Sequence, residues 1–191
     1  MGRPVFEHPV YVMRQHVRQL LSFGFTFSIS GTDGATLLVG RVGSLKFRDE
    51  IRLYRGDGSN AEVLSIRGKS SGGLLMAHEV VDPAEGGTVG SFRTRGLSLL
   101  AREVMVVADA EGREVGRITE DSLALGLLRR YATNLIPVIR YVIGVDEMPV
   151  CTLTRKWGFP SRTVRVDFSQ DFANRLDKRM GLAAGVLLFT G

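Results

Sequence analysis

Apolar and polar positions alternate along most of this chain, in short runs that are separated by turns containing glycine. In residues 23–29, for example, the odd-numbered positions are Phe or Ile and the even-numbered positions are Gly, Thr or Ser. Such alternation is typical of a β-strand that buries one face. Across the chain it predicts twelve strands, at 5–13, 23–30, 36–42, 50–54, 62–67, 74–81, 88–94, 103–108, 114–119, 138–145, 150–154 and 163–167.

Glycine fills the turns between several of these strands. Gly34, Gly58 and Gly112 each follow an acidic residue in a short polar segment. A tight hairpin requires positive φ, which glycine adopts without steric cost. Successive hairpins predict an antiparallel meander, because a parallel sheet would need helical crossovers that this pattern lacks.

An internal repeat supports an architecture of repeated hairpins. Residues 80–92 align without a gap on residues 106–118, and seven of the thirteen positions are identical at an offset of 26. Residues 53–66 form a looser third copy. Each copy reads as strand, glycine turn and strand, and such units pack into a sandwich, a propeller or a closed barrel.

The segment 180–189 has no polar side chain. A helix that is apolar on every side must be buried in protein or in lipid, and this one is too short to span a bilayer, which takes about 20 residues. A barrel of about twelve strands is too wide for its own side chains to fill. We therefore predict one mainly β domain over 1–191: a closed antiparallel barrel of about twelve strands around a buried hydrophobic C-terminal helix.

This terminal helix is expected to begin near Ser169, a suitable N-cap, with Asp171 in its first turn. Its apolar residues spaced four apart would then share one face, at Phe172, Leu176 and Met180.

Two glycines of the same helix have the G-x-x-x-G spacing, at Gly181 and Gly185. This spacing is typical of helix dimers in membranes. We interpret it here as a close fit of the helix against the barrel wall, because the segment is too short to span a bilayer.

A second helix is predicted over 120–131, followed by Pro137 at the start of the next strand. Acidic residues lie at its start and two arginines lie at its end, and the helix dipole stabilises charges in this arrangement. Its apolar face would pack on the barrel or across its mouth, and comprises Leu123, Leu127 and Leu128.

Composition and cysteine content suggest a compartment. The chain is 44% hydrophobic and 24% charged, which is ordinary for a folded soluble protein. Its N-terminal residues have no apolar stretch of signal-peptide length, and a single cysteine, Cys151, excludes an internal disulfide. We expect a cytoplasmic protein that is either soluble or peripheral to a membrane.

The net charge of +5 comes from the C-terminal third of the chain. Residues 1–125 contain 15 basic and 15 acidic residues, whereas residues 126–191 contain 10 basic and 5 acidic residues. This excess indicates an anionic partner, which is a phospholipid headgroup, a nucleic acid or an acidic protein. For any one arginine, a solvated surface position is the better explanation. The candidate headgroup-binding residues are Arg129, Arg130, Arg140, Arg155, Lys156, Trp157 and Arg162.

Trp157 admits two interpretations. Beside two cations it could anchor the protein at a membrane interface, or it could close one end of the barrel. We favour the second interpretation.

No catalytic residue, metal ligand or cofactor site is assigned from the sequence. Gly68-Lys69-Ser70 imitates the end of a phosphate-binding loop, but the glycine required five residues earlier is Val63. The three histidines, at 8, 16 and 78, are too scattered to indicate a metal site. We therefore expect a non-enzymatic protein.

Four stretches carry a resemblance to a known family: 25–34 (FTFSISGTDG), 103–118 with its V-x-D-x-x-G-R-E-V-G-R-I pattern, 153–157 (LTRKW) and 177–188. They resemble the tubby C-terminal-like superfamily, in its LURP-one-related and phospholipid-scramblase-related branch. The resemblance implies a twelve-stranded barrel around a C-terminal helix. It also implies binding of phosphoinositide headgroups, which tubby proteins bind through basic residues on the barrel. Scramblases carry a cysteine-rich segment and an acidic calcium-binding segment, and we find neither in this sequence.

The sequence leaves three non-enzymatic functions open. The first is binding of anionic membrane lipid by a basic patch. The second is a protein-interaction or regulatory scaffold, whose loops would carry specificity on a rigid barrel. Nucleic-acid binding ranks last, because few aromatic side chains accompany the basic residues.

Overall fold

A closed antiparallel barrel surrounds one α-helix in the computed structural model of the protein, which describes residues 4–15, 25–42, 50–71, 74–94, 105–120, 138–156 and 162–190. A short 3-10 helix, Pro4–Phe6, precedes the first strand. The elements are β1 (Val10–Gln15), β2 (Phe25–Ser30), β3 (Thr36–Val42), β4 (Glu50–Arg55), β5 (Glu62–Ser71), β6 (Leu74–Asp82), β7 (Gly87–Thr94), β8 (Met105–Asp109), β9 (Glu114–Glu120), β10 (Val138–Val145), β11 (Met148–Lys156), β12 (Thr163–Asp167) and α1 (Lys178–Thr190).

Every strand pairs antiparallel with its neighbours in the chain, and β12 closes the barrel by pairing with β1. In that closing pair Val10 lies opposite Asp167 and Arg14 lies opposite Thr163. Each strand therefore has a partner on both sides, which closed barrels achieve and open sheets do not. The predicted fold class, a mainly β twelve-stranded barrel around a C-terminal helix, is confirmed.

The predicted turn glycines adopt the backbone conformation that the hairpins require. Gly34, Gly58 and Gly112 have φ values of 79°, 82° and 81°. Gly86, the repeat counterpart of Gly112, has φ 66°. The two repeat copies are thus the hairpins β6–β7 and β8–β9.

The turns of five hairpins lie at one end of the barrel, which we call the turn end. They comprise 31–35, 56–61, 83–86, 110–113 and 146–147. Segments 7–9 and 168–177 lie at the same end, because the backbone N–H of Phe168 donates to the carbonyl of Pro9 at 2.8 Å and Val10 pairs with Asp167.

The helix α1 starts at the turn end and runs through the barrel. Its residues from Met180 to Val186 are all buried, and Phe189 is fully buried near the other end. Seven successive residues cover every direction around a helix of 3.6 residues per turn. Strands therefore enclose α1 on all sides, and their inward residues, such as Leu53, Phe92 and Leu153, form one core with it.

The two spaced glycines set how closely α1 approaches the wall. A Cβ atom at Gly181 would overlap the ring of Phe168, and one at Gly185 would overlap a methyl group of Val166. Val166 belongs to β12. The interpretation that small residues fit the helix against the barrel wall is confirmed.

The expected start of the terminal helix is wrong. The helix begins at Lys178, and residues 168–177 form a loop in which the Asp171 carboxylate accepts the N–H groups of Arg175 and Leu176 at 2.8 and 3.0 Å. Asn174 adopts a left-handed φ of 48°, which a helix does not accommodate. An aspartate that bonds nearby backbone in this way competes with helix formation.

The face predicted for the start of that helix is wrong in one position. Leu176 and Met180 are buried, but Phe172 is 93% exposed because it lies in the loop.

Other boundaries also differ from the prediction, most of them by one or two residues, and β5 runs four residues beyond its predicted end, to Ser71. Val5 lies in the short 3-10 helix, so β1 starts at Val10, after Pro9. Glu120, expected to open a helix, is the last residue of β9. The remainder of that predicted helix, 121–131, lies outside the described residues, as does Pro137. No helix in the described ranges has the length and apolarity needed to cross a bilayer.

Candidate anion-binding face

Strand alternation determines which basic side chains point out of the barrel. On β10, Ile139 and Tyr141 are buried and point inward, so Arg140 between them points outward and is exposed. On β11, Leu153 points inward, so Lys156 lies on the outer side and is exposed. The same alternation places Arg165 of β12 outside, between the buried Val164 and Val166.

Four outward cations come together across β10, β11, β12 and β1. In one cross-strand row, Arg140 lies opposite Thr154, which in turn lies opposite Arg165. In the next row, Lys156 lies opposite Thr163, and Thr163 lies opposite Arg14 of β1. We call these four residues, Arg14, Arg140, Lys156 and Arg165, the basic face.

The spacing of the basic face suits a phosphate-sized anion. Neighbouring strands lie about 4.8 Å apart, so the Cα atoms of Arg140 and Arg165 are separated by about 10 Å. Lys156 lies on the strand between them, one row along. Long Arg and Lys side chains span such distances while their charged groups stay in water.

A shallow recess adjoins one edge of the basic face. It has a volume of about 210 Å³ and lies between Arg14, Arg165 and the end of β2 with the turn that follows, where Ser30 and Thr32 offer hydroxyl groups. Arg165 also donates a hydrogen bond to Asp167 at 3.0 Å, which holds its guanidinium group over the strand. The recess combines two guanidinium groups with neutral donors, a set of groups that suits an oxyanion.

Two predicted site residues, Arg155 and Arg162, point inward instead. Arg155 Nη1 donates to the carbonyl of Leu188 at 3.0 Å, and Arg162 Nη1 donates to the carbonyl of Phe189. The last carbonyls of a helix have no partner within it and carry the negative end of its dipole. These arginines thus cap α1 and hold it in the barrel.

Burial lowers the pKa of Arg162, and the neighbouring charge of Arg155 lowers it further. Two cations held close together in a half-buried site are stabilised here by helix carbonyls.

The structure thus divides the candidate site residues into three groups. Arg140 and Lys156 lie on the outer basic face, and Arg155 and Arg162 cap the helix. The remaining three, Arg129, Arg130 and Trp157, lie outside the described residues.

Sequence reasoning missed two members of the basic face, Arg14 and Arg165. The alternation of β12 was sufficient to place Arg165 outside. The predicted closed meander implies that β1 pairs with β12, but the register that brings Arg14 beside Arg165 follows only from the structure.

A second polar cluster fixes α1 at the turn end. Arg179 donates hydrogen bonds to Asp177 at 2.7 Å, to Glu85 at 2.6 Å and to Asp82 at 3.0 Å. The hydrogen bond to Asp177 is the main cause of the raised pKa of Arg179. Asp82 is 1% exposed, and a buried carboxylate needs such a partner. This cluster ties the first turn of the helix to the β6–β7 hairpin.

The structure places three features that bear on possible chemistry. The described residues contain no group of three or more His, Cys, Asp or Glu side chains placed to hold a metal ion. Burial strongly raises the pKa of the Cys151 thiol, and a thiol that stays protonated is a poor nucleophile. Gly68 and Lys69 lie within β5, where Lys69 pairs with Glu79 at 3.0 Å.

The fold and the basic face together define a closed barrel with a helix in its interior and clustered cations on its outer wall. No protein-family model, curated protein or solved structure matches this chain.

Proposed function

We propose that this protein is a non-enzymatic, cytoplasmic barrel of the tubby-like class that binds anionic phospholipid headgroups at a membrane surface. The observation that carries the proposal is the basic face, where four outward cations from four adjacent strands share one side of the barrel. The resemblance of the sequence to tubby-like and scramblase-related proteins points to the same ligand class.

The expected affinity for a membrane is modest. A basic residue close to an anionic bilayer contributes about 1 kcal/mol, so the four cations of the basic face contribute at most about 4 kcal/mol, since Arg165 is paired with Asp167. That free energy corresponds to a dissociation constant of about 1 mM. Binding should therefore be reversible and should weaken as salt rises, because the Debye length falls from about 10 Å at 0.1 M to about 3 Å at 1 M.

Co-sedimentation with liposomes tests the proposal. Vesicles of phosphatidylcholine alone are compared with vesicles that also contain phosphatidylserine or a phosphoinositide, over a series of salt concentrations. We expect binding to the anionic vesicles, declining with salt, and loss of that binding in the Arg140→Glu/Lys156→Glu variant.

A matched control lies on the opposite side of the barrel. Arg67 and Lys69 of β5 have side chains that are 52% and 64% exposed and pair with Glu50 and Glu79. Such exposed pairs contribute little to stability. The Arg67→Glu/Lys69→Glu variant changes the net charge by the same amount and should keep its binding. Equal loss in both double variants, or equal binding to neutral vesicles, would refute a localised headgroup site.

A further inference from the structure

The turn end presents two apolar side chains to solvent. Phe172 is 93% exposed and Met148 is 54% exposed, and both are among the few large hydrophobic residues exposed in the described ranges. Arg175 Nη1 lies 3.3 Å from the Met148 sulfur. This contact joins the loop that carries Phe172 to the β10–β11 hairpin that carries Met148.

The loop that carries Phe172 is held in one conformation. The Asp171 carboxylate accepts two backbone N–H groups, from Arg175 and Leu176, and the Asp171 N–H donates to the Phe168 carbonyl at 2.9 Å. Phe168 and Leu176 are buried in the core on either side of the loop. A partner that buries Phe172 would therefore need to order little of the loop, which favours tight binding.

Charge at the turn end is opposite to that of the whole chain. The turn-end segments contain nine acidic residues and two arginines: Glu7, Asp33, Asp57, Glu85, Glu111, Asp146, Glu147, Asp171 and Asp177 against Arg113 and Arg175. Asp146 and Glu147 form the turn of the hairpin that carries Met148, and both are exposed. Such a surface repels an anionic bilayer and attracts a cationic partner.

A cleft adds to this acidic surface. It has a volume of about 510 Å³ beside the start of α1, and its lining includes the acidic side chains of Glu7, Asp82, Glu85 and Asp177. Lys178 and Arg179 also line the cleft, but Arg179 is held by three of these carboxylates.

We propose that the turn end docks a folded protein with a basic surface, whose apolar pocket receives Phe172 while its Lys and Arg side chains face the acidic turns. An exposed aromatic residue on a rigid loop, at an end of the barrel rich in acidic residues, matches the anchors found at the centre of protein interfaces. None of the four residues of the basic face belongs to the turn-end segments, so the two proposals can be tested separately.

Site-specific crosslinking tests the proposal in two steps. First, the photoreactive residue p-benzoylphenylalanine replaces Phe172 or, as a control, the exposed Arg67 on the side of the barrel, in the cells that produce this protein. We expect a crosslinked protein with a basic surface at Phe172 and none at Arg67. Second, that protein is purified, and its dissociation constant for the full chain is measured by calorimetry.

Three variants separate the contributions in the second step. Phe172→Ala should weaken binding by about 30-fold or more, the range of an interface hot spot. Asp146→Asn/Glu147→Gln should weaken binding at low salt and reduce its salt dependence. Arg140→Glu/Lys156→Glu should leave this affinity unchanged, although it removes liposome binding.

Other outcomes would overturn the docking proposal. They are a crosslink to lipid, to a second copy of this chain or to an acidic protein, the same products at Phe172 and Arg67, or no crosslink at all. An unchanged affinity for Phe172→Ala, in a variant that melts like the wild-type protein, would also overturn it. None of these results affects the headgroup proposal, since Phe172→Ala should bind anionic liposomes like the wild-type protein.

Discussion

Replacement of Phe189 by Ala tests whether the helix is the structural centre of the barrel. The Phe189 side chain is fully buried, and its ring centroid lies 4.9 Å from that of Phe27 on β2, at an interplanar angle of 40°. Phe27 in turn packs so closely over Gly40 that a Cβ atom there would overlap its ring. Phe27 is therefore held in place and has little freedom to fill the space that the substitution would leave.

The expected loss of stability is large. A buried Phe→Ala substitution lowers the free energy of unfolding by about 3 to 5 kcal/mol, and loss of the aromatic pair accounts for about 0.5 to 1.5 kcal/mol of this. With a urea m-value of about 2 kcal/mol/M, a loss of about 4 kcal/mol moves the unfolding midpoint down by about 2 M. The melting temperature should fall by about 8 to 16 °C, at about 2 to 4 °C per kcal/mol for a chain of this size.

Phe172→Ala is the matched control, because it makes the same chemical change to an exposed side chain. It should alter the free energy of unfolding by less than about 0.5 kcal/mol. Urea unfolding followed by circular dichroism measures both variants. A midpoint shift below about 0.5 M for Phe189→Ala would mean that the helix does not fill the barrel, and the proposed packing would then be wrong.

Two further predictions concern buried groups. Leu182→Asp and Val186→Asp each place an unpaired charge in the core, which costs several kcal/mol or more. We therefore expect insoluble or unfolded protein, and a soluble variant with an unchanged melting temperature would contradict the buried position of the helix. The raised pKa of Cys151 keeps its proton on in the folded state, whereas an unfolded thiol loses it above about pH 8.5. Stability should therefore fall as pH rises above that value, by up to about 1.4 kcal/mol per pH unit. Cys151→Ala should remove this slope in urea titrations between pH 8 and pH 9.5, and an equal slope in the variant would refute the assignment.

Local patterns were sufficient to predict most of the wall of the barrel. The strand 163–167 has the predicted limits because Val164 and Val166 are buried and Arg165 between them is exposed, which is a clear alternation. Gly34 and Gly112 mark hairpin turns because few other residues adopt positive φ without strain. The apolar segment 180–189 predicted a filled interior, since its composition allowed no exposed face.

The start of the helix was harder to predict because two local signals compete there. Phe172 and Leu176 are four residues apart, a spacing that places both on one face of a helix. The Asp171 carboxylate, however, accepts hydrogen bonds from the backbone N–H groups of Arg175 and Leu176, which in a helix would donate to backbone carbonyls. The sequence contains both signals, and the side-chain hydrogen bonds decide between them.

The basic face depends on contacts between distant parts of the chain. Arg14 and Arg165 are neighbours because β1 pairs with β12, and Arg140 joins them through β11. Charge counts located the excess in the C-terminal third but could not distinguish Arg140, which faces solvent, from Arg155, which caps the helix. That distinction follows from strand register and from the position of α1.

The position of α1 also constrains how the chain folds. The strand pair that closes the barrel joins residues near 10 with residues near 167. The helix that fills the interior, Lys178–Thr190, comes after both of these strands in the chain. Pairings over such long sequence separations form slowly. Until α1 inserts, inward side chains such as Leu53 and Phe92 have no apolar neighbour at the centre, and partly formed sheets of this kind aggregate readily. We therefore expect the wall and the helix to assemble together, with insertion of the helix and closure of the strands in the same cooperative step.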